Sequence, residues 1–213
     1  MAPKRVLIFT GGNISPDSIK EIRQDDFIIG ADKGALFLVQ NGIKPDIAVG
    51  DFDSVTAEEL ELVRQSCGEI IVCDPVDKNL TDTELAFDMA IDQQAPEVIM
   101  IGAMGSRQDH SLSNIQMMLR GLQHQVVSSI IDEHNYITLT GSSLVVEDRG
   151  FTYVSLLPLT PEVTGITLSG FMYPLQDATI KMGQSLGISN RLTGQQGKIQ
   201  IESGLLLVIQ SKD

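Results

Sequence analysis

Two aspartates one residue apart, Asp51 and Asp53, lie in the stretch Gly50-Asp51-Phe52-Asp53-Ser54. The stretch follows the short apolar run 47–49 and precedes an acidic helical pattern that starts near Thr56. Paired carboxylates at the end of a strand can hold a hard cation such as Mg2+ against phosphate oxygens. The same pair taken alone is more often a solvated acidic turn, so its surroundings decide.

Four other polar clusters follow apolar runs. They are Gly11-Gly12-Asn13, Asp32 within Gly30-Ala31-Asp32-Lys33-Gly34-Ala35, residues 74–82, and residues 102–110. The Gly11-Gly12 pair would let backbone amides approach an anion. Gly102 opens a glycine-containing loop that leads to Arg107, whose guanidinium can fork onto phosphate oxygens at a helix start that favours negative charge. Asp32, Asp51, Asp53 and Asp82 would place four carboxylates in one cleft, where a divalent cation is their natural companion. His110 suits either acid–base work or a helix start oriented by Asp109, and we assign it no proton-transfer role. There is no Walker A loop and no protein-kinase signature set.

The elements that must position these groups are legible. Apolar runs at 6–9, 27–29, 47–49, 70–73, 98–101 and 126–131 are nearly continuous, as in strands covered on both faces. Helical patterns lie between them. One covers 34–41 and closes at Gly42. A capping box at Thr56/Glu59 opens one that runs to about residue 66, and Thr81/Glu84 opens another the same way. A fourth runs near 111–120, with Leu112, Ile115, Met118 and Leu119 at core spacing. Strands alternating with helices predict a mainly parallel α/β sheet. All five polar clusters then fall at carboxyl ends of strands, the edge where open α/β sheets bind ligands.

From about residue 131 strand-like runs dominate, separated by Gly, Pro, Ser and Asn. They predict an all-β unit, a small sandwich or barrel of about 80 residues. Ser203-Gly204 reads as a tight hairpin turn between the last two strands. We set the domains at 1–130 and 131–213, within a soft boundary of 125–140.

Composition narrows the partners. The 213 residues are 42% apolar and 20% charged, with a formal net charge of -13. That balance disfavours nucleic acid and anionic membranes as partners, and leaves open a nucleotide bridged by a cation, or a cationic small substrate. Cys67 and Cys73 have no His or Cys cluster beside them, so neither a zinc site nor a disulfide framework is expected. Cys73 reads as a buried small hydrophobe. The run 6–9 is too short for a signal-peptide core and no stretch approaches 18 apolar residues, so a soluble cytoplasmic protein is expected.

These segments, in this order, resemble the thiamine pyrophosphokinase family. The resemblance is carried by Ala31-Asp32-Lys33-Gly34-Ala35, Pro45-Asp46, Gly50-Asp51-Phe52-Asp53-Ser54, Thr81-Asp82-Thr83-Glu84, Gly102-Ala103, Gly105-Ser106-Arg107-Gln108-Asp109-His110 and Asn114. In the β unit it is carried by Gly170-Phe171-Met172-Tyr173-Pro174-Leu175 and Ser185-Leu186-Gly187-Ile188-Ser189-Asn190. It implies an α/β nucleotide domain followed by a β-sandwich. It also implies transfer of the β,γ-pyrophosphate of ATP to the hydroxyethyl oxygen of thiamine, Mg2+, and a homodimer with the thiamine pocket between subunits.

By motif, the resemblance makes Asp32, Asp51, Asp53 and Asp82 the metal and phosphate residues, with Asp53, Asp82 and Arg107 nearest the chemistry. Gly11, Gly102, Arg107, Asp109, His110 and Asn114 fall on the ATP side. Ser185, Ser189 and Asn190 fall on the thiamine side, where hydroxyl and amide groups suit an aminopyrimidine. Asp53 and Asp82 are the candidates for receiving the hydroxyl proton. Two positions depart from the family pattern: Asn79 stands where the family commonly has Asp, which bears on the number of metals, and Arg191 stands where it often has Glu. Other readings of the same carboxylates are a Mg2+-dependent nucleotide pyrophosphohydrolase and a non-catalytic nucleotide or thiamine diphosphate sensor.

Overall fold

A computed structural model describes residues 2–73 and 80–213. The positions of Asp74, Lys78 and Asn79, and with them the question of the missing carboxylate, lie outside the described residues. The chain divides into two compact units, Met1–Glu133 and His134–Asp213.

The first unit carries strands β1 (Val6–Phe9), β2 (Phe27–Ala31), β3 (Ile47–Gly50), β4 (Glu69–Val72), β5 (Glu97–Ile101) and β6 (Val127–Ile131). They are all parallel, in the order β4-β3-β2-β1-β5-β6. Every residue of β1 and β3 is buried, which is why these runs show no alternation. The chain steps outward from β1 to β4 and then returns to place β5 on the other side of β1. The topological switch point therefore lies between β1 and β5, and a crevice opens there at the carboxyl ends.

Helices α1 (Lys33–Gln40), α2 (Ala57–Ser66), α3 (Asp82–Asp92) and α4 (Gln108–Gln123) form four of the five crossovers, and a 3-10 helix at Pro16–Glu21 lies in the one from β1 to β2. The capping box of α2 is complete: the Thr56 hydroxyl accepts from the Glu59 N–H, and the Glu59 carboxylate accepts from the Thr56 N–H. The expected box on α3 is only half made. Thr81 caps the Glu84 N–H, but the Glu84 carboxylate is drawn instead to Arg120 of α4 at 2.5 Å. The core face of α4 also differs from expectation. Leu112 is 58% exposed, whereas Ser111, Asn114, Met117, Met118 and Gly121 are buried. Two polar residues take the inward positions because they hold the loop in front of the helix. Cys73 is half-buried rather than buried.

The second unit is all-β. Strands β7 (Asn135–Thr140), β13 (Leu206–Ser211) and β9 (Tyr153–Pro158) pair antiparallel in that order. Strands β11 (Ala178–Lys181), β10 (Glu162–Ser169), β12 (Gln196–Gln200) and β8 (Ser143–Glu147) form a second antiparallel sheet. One core draws Val146, Val163, Ile166, Ile180 and Ile199 from the second sheet and Val154, Leu156, Leu206 and Val208 from the first, which makes the unit a sandwich. Ser203-Gly204 is consequently not a hairpin turn. It carries the chain from one sheet to the other, with Thr164 and Glu202–Ser203 bridged at the crossing and Gly204 at φ +92°. A sheet-switching corner and a hairpin share the same turn residues, so local sequence cannot separate them.

Candidate active site

The crevice at the switch point is a cleft of about 350 Å3. Its walls come from the ends of β1 (Thr10 to Asn13), β2 (Ala31, Asp32) and β5 (Gly102 to Arg107), and from the starts of α3 (Thr81 to Thr83) and α4 (His110, Asn114). Gly11, Asp32, Asp82, Gly102, Arg107, His110 and Asn114 are thus brought together. Asp109 does not line the cleft. It is exposed and takes both Nε and Nη2 of Arg107, at 3.3 and 2.6 Å. Asp109 is thereby held below the usual carboxylate range. The pair is too exposed to be worth much, so a phosphate can take the guanidinium from it.

Within the glycine pair after β1, Gly11 lines the cleft and Gly12 takes a tying role. The Gly12 N–H donates to Gly102 O at 2.9 Å and the Asn13 N–H to Met104 O at 2.9 Å, which ties the β1 loop to the β5 loop. A Cβ on Gly12 would stand 2.2 Å from Gly102 O, so only glycine permits this approach.

Three hydroxyl side chains fix the loops at this edge, and two of them, Thr10 and Ser111, were not singled out from the sequence. The Thr10 hydroxyl donates to Gly102 O at 2.7 Å. Ser111 accepts from the Gly105 N–H at 3.1 Å and is itself buried. Ser54 donates to Asp32 Oδ2 at 2.5 Å. The available signal was a Ser or Thr at the inward position of a strand end or helix start beside a glycine loop. Asn114 serves the same purpose, donating from Nδ2 to Ala103 O at 2.7 Å while 7% exposed. Asn114→Ala leaves that carbonyl unpaired and is expected to cost about 1–3 kcal/mol. Urea unfolding of the variant checks it.

Of the four carboxylates expected in one cleft, three form a group that could share one cation. One oxygen each of Asp32, Asp51 and Asp53 lies within 4.8 Å of the others, close enough to share one cation. Asp82 faces the same spot: a Cβ on Gly50 would stand 3.4 Å from both Asp82 Oδ1 and Asp32 Cα. The backbone bends sharply to achieve this. Asp32 sits at φ 50°, ψ -122°, and Phe52 at φ 55° with its ring buried, both regions that L-residues avoid. Strain of this kind costs about 1–3 kcal/mol and collects at functional sites. Burial raises the Asp32 carboxyl above its usual range, with the charges of Asp82 and Asp51 adding to it, although the Ser54 hydrogen bond opposes the shift. Asp32 Oδ1 is buried and has no hydrogen-bond partner among the described residues. An orphaned carboxylate oxygen beside two further acids is what a divalent-cation site offers.

In the β unit, Ser185, Ser189 and Asn190 lie on the segment between β11 and β12. Ser185 is exposed, and Ser189, at φ 59°, donates its N–H to Ser155 Oγ at 3.0 Å. Asn190 is buried and its amide is engaged: Oδ1 accepts from the N–H groups of Tyr173 and Arg191, and Nδ2 donates to Tyr173 O at 2.8 Å. The Tyr173 backbone is thus clamped while its side chain stays 61% exposed. Arg191 lies over the Tyr153 ring at 4.9 Å.

An open parallel sheet with a glycine-walled cleft at its switch point and a carboxylate triad at its rim belongs to the phosphate-binding α/β class. Comparison with known proteins narrows this. Residues 19–130 match the family profile of the thiamin pyrophosphokinase catalytic domain, and residues 142–206 that of the thiamin pyrophosphokinase vitamin B1 binding domain. The thiamine pyrophosphokinase of Bacillus subtilis (strain 168) is 35% identical over 215 residues, covering 99% of this chain and 100% of the relative. A crystal structure of thiamine pyrophosphokinase from Bacillus subtilis superposes with a TM-score of 0.92 at 32% identity, covering 99% and 100% of the two chains. One from Geobacillus thermodenitrificans does so with 0.88 at 32%, covering 98% of each. The chain belongs to the thiamine pyrophosphokinase family.

Proposed function

We propose that the chain converts thiamine to thiamine diphosphate by transferring the β,γ-pyrophosphate of ATP to the hydroxyethyl oxygen, releasing AMP. The observation that carries this reading is the Asp32–Asp51–Asp53 triad at the rim of a glycine-walled cleft, in a chain of this family. Asp32, Asp51 and Asp53, with Asp82 beside them, would hold Mg2+, and their oxygen-only donor set fits it. Held there, the ion would neutralise negative charge on the phosphate oxygens.

The residues of the chain supply the rest. The joined β1 and β5 loops and the start of α4 bound the polyphosphate site, where a helix N-terminus favours anions. Arg107 exchanges Asp109 for phosphate and meets the charge that develops in transfer. The acceptor oxygen attacks the β-phosphorus in line, and positioning supplies most of the acceleration. Its proton goes to Asp53 or Asp82. Asp109, outside the cleft, holds Arg107 between turnovers.

The acceptor side belongs to the β unit. Ser185 and Ser189 offer polar contacts, and Asn190 acts by fixing the backbone of Tyr173, whose exposed ring suits stacking on thiamine. Met172, Met182, Leu186 and Ile188 are also exposed on these two loops. Apolar surface of this kind supports a binding and association face, in keeping with a homodimer whose thiamine pocket forms between subunits. Among the described residues no helix is long and apolar enough to cross a membrane, and both cysteines are free.

AMP formation from ATP, followed with and without thiamine, tests the reading. AMP and thiamine diphosphate should form in equal amounts and only with thiamine present. AMP release without thiamine would indicate a pyrophosphohydrolase, and ATP binding without turnover a sensor. Tyr173→Ala should raise the KM for thiamine roughly tenfold, the scale of losing one stacked ring, with little change in the KM for ATP.

A further inference from the structure

Ser54 stands 22 positions from Asp32 in sequence, yet its Oγ lies 2.5 Å from Asp32 Oδ2. It closes the Gly50-Asp51-Phe52-Asp53-Ser54 turn, which is pinned by the buried Phe52 and by the Asp53 N–H donating to Asp51 Oδ1 at 3.2 Å. The two oxygens of Asp32 are therefore unequal. Oδ2 already accepts a proton from Ser54, and Oδ1 is buried without a partner among the described residues. A cation bound through both oxygens would compete with Ser54 for the lone pairs of Oδ2. A cation bound through Oδ1 alone would leave the Ser54 hydrogen bond intact.

That inequality bears on which ion the site takes. Mg2+ demands compact octahedral geometry and takes carboxylates through single oxygens, whereas Ca2+ takes six to eight oxygens and readily uses both from one carboxylate. We infer that Ser54 is a positioning residue that restricts Asp32 to one-oxygen ligation and so biases the carboxylate triad toward Mg2+ over Ca2+. The hydroxyl has Asp32 as its partner. It acts by orienting a ligand, as hydrogen-bond partners of metal ligands commonly do. This inference rests on the metal site proposed above.

The test is titration of the full-length, nucleotide-free protein with MgCl2 and separately with CaCl2, read by calorimetry and by the rise in Tm with cation. Wild type, Ser54→Ala and Ser54→Thr are compared, with Asp53→Asn as the site control. Ser54→Ala should lower the ratio of Mg2+ to Ca2+ affinity by about tenfold, the scale of losing a hydrogen-bond partner of a metal ligand. Ser54→Thr should restore the ratio. A loss of packing alone would lower the Tm without cation and weaken both ions alike, and that result, or an unchanged ratio, overturns the inference. If wild type binds neither ion, or binds them equally well after Asp53→Asn, the metal site itself is wrong and the inference falls with it.

Discussion

Asp32→Asn is expected to cut turnover by a factor on the order of 10²–10³ while making the cation-free protein more stable at neutral pH. The first effect follows from removing the charge of Asp32, the member of the triad that lines the cleft. The second follows from the raised folded-state pKa of Asp32, caused first by burial and then by Asp82 and Asp51. The folded chain holds the Asp32 proton more tightly than the unfolded chain does. Stability therefore falls as pH rises from the unfolded value of about 3.9 through the higher folded value, and the loss is complete above it. An amide cannot ionise, so it escapes that loss, and its oxygen can still accept the Ser54 hydrogen bond. Asn also tolerates positive φ better than most residues. Thermal unfolding in chelator from pH 4 to 8 checks it: the gap between variant and wild type should widen with pH and close again when Mg2+ is added to wild type. A variant less stable than wild type at every pH would contradict this account of Asp32.

Asp53→Asn should lower the maximal rate on the same scale, about 10²–10³, without the stability gain. Asp53 is the exposed member of the triad, whereas Asp32 is part-buried. A surface substitution of this kind moves stability by no more than about 0.5 kcal/mol. The contrast between the two variants is informative because they share a proposed ion and differ in environment. Turnover near wild type in Asp53→Asn would remove Asp53 from both metal binding and proton acceptance.

The parallel sheet was legible because strands buried on both faces leave unbroken apolar runs: 6–9 matches β1 to the residue. The placement of Asp32, Asp51, Asp53, Asp82 and the 102–110 loop at one edge followed from that alternation. What local sequence could not reveal depends on tertiary partners. Glu84 looked like the return half of a capping box, but Arg120, 36 positions away, takes its carboxylate. Gly12 looked like an anion cradle, but its N–H belongs to Gly102 O. Leu112 fitted an apolar stripe, yet Ser111 and Asn114 face inward because the loop ahead of α4 needs their hydrogen bonds. The sheet switch at Ser203-Gly204 is the same kind of case: pairing partners are chosen by the fold, not by the turn.

The proposed role of the carboxylates at the switch point is to hold the cation that grips the ATP polyphosphate. It is tested most directly by a crystal structure with Mg2+, an unreactive ATP analogue and thiamine. Mg2+ is expected at about 2.0–2.1 Å from oxygens of the Asp32–Asp51–Asp53 triad, with the polyphosphate between the Gly12 and Gly105 loops and Arg107 released from Asp109 onto phosphate. Polyphosphate bound elsewhere, or Mg2+ that touches none of these aspartates, would contradict it.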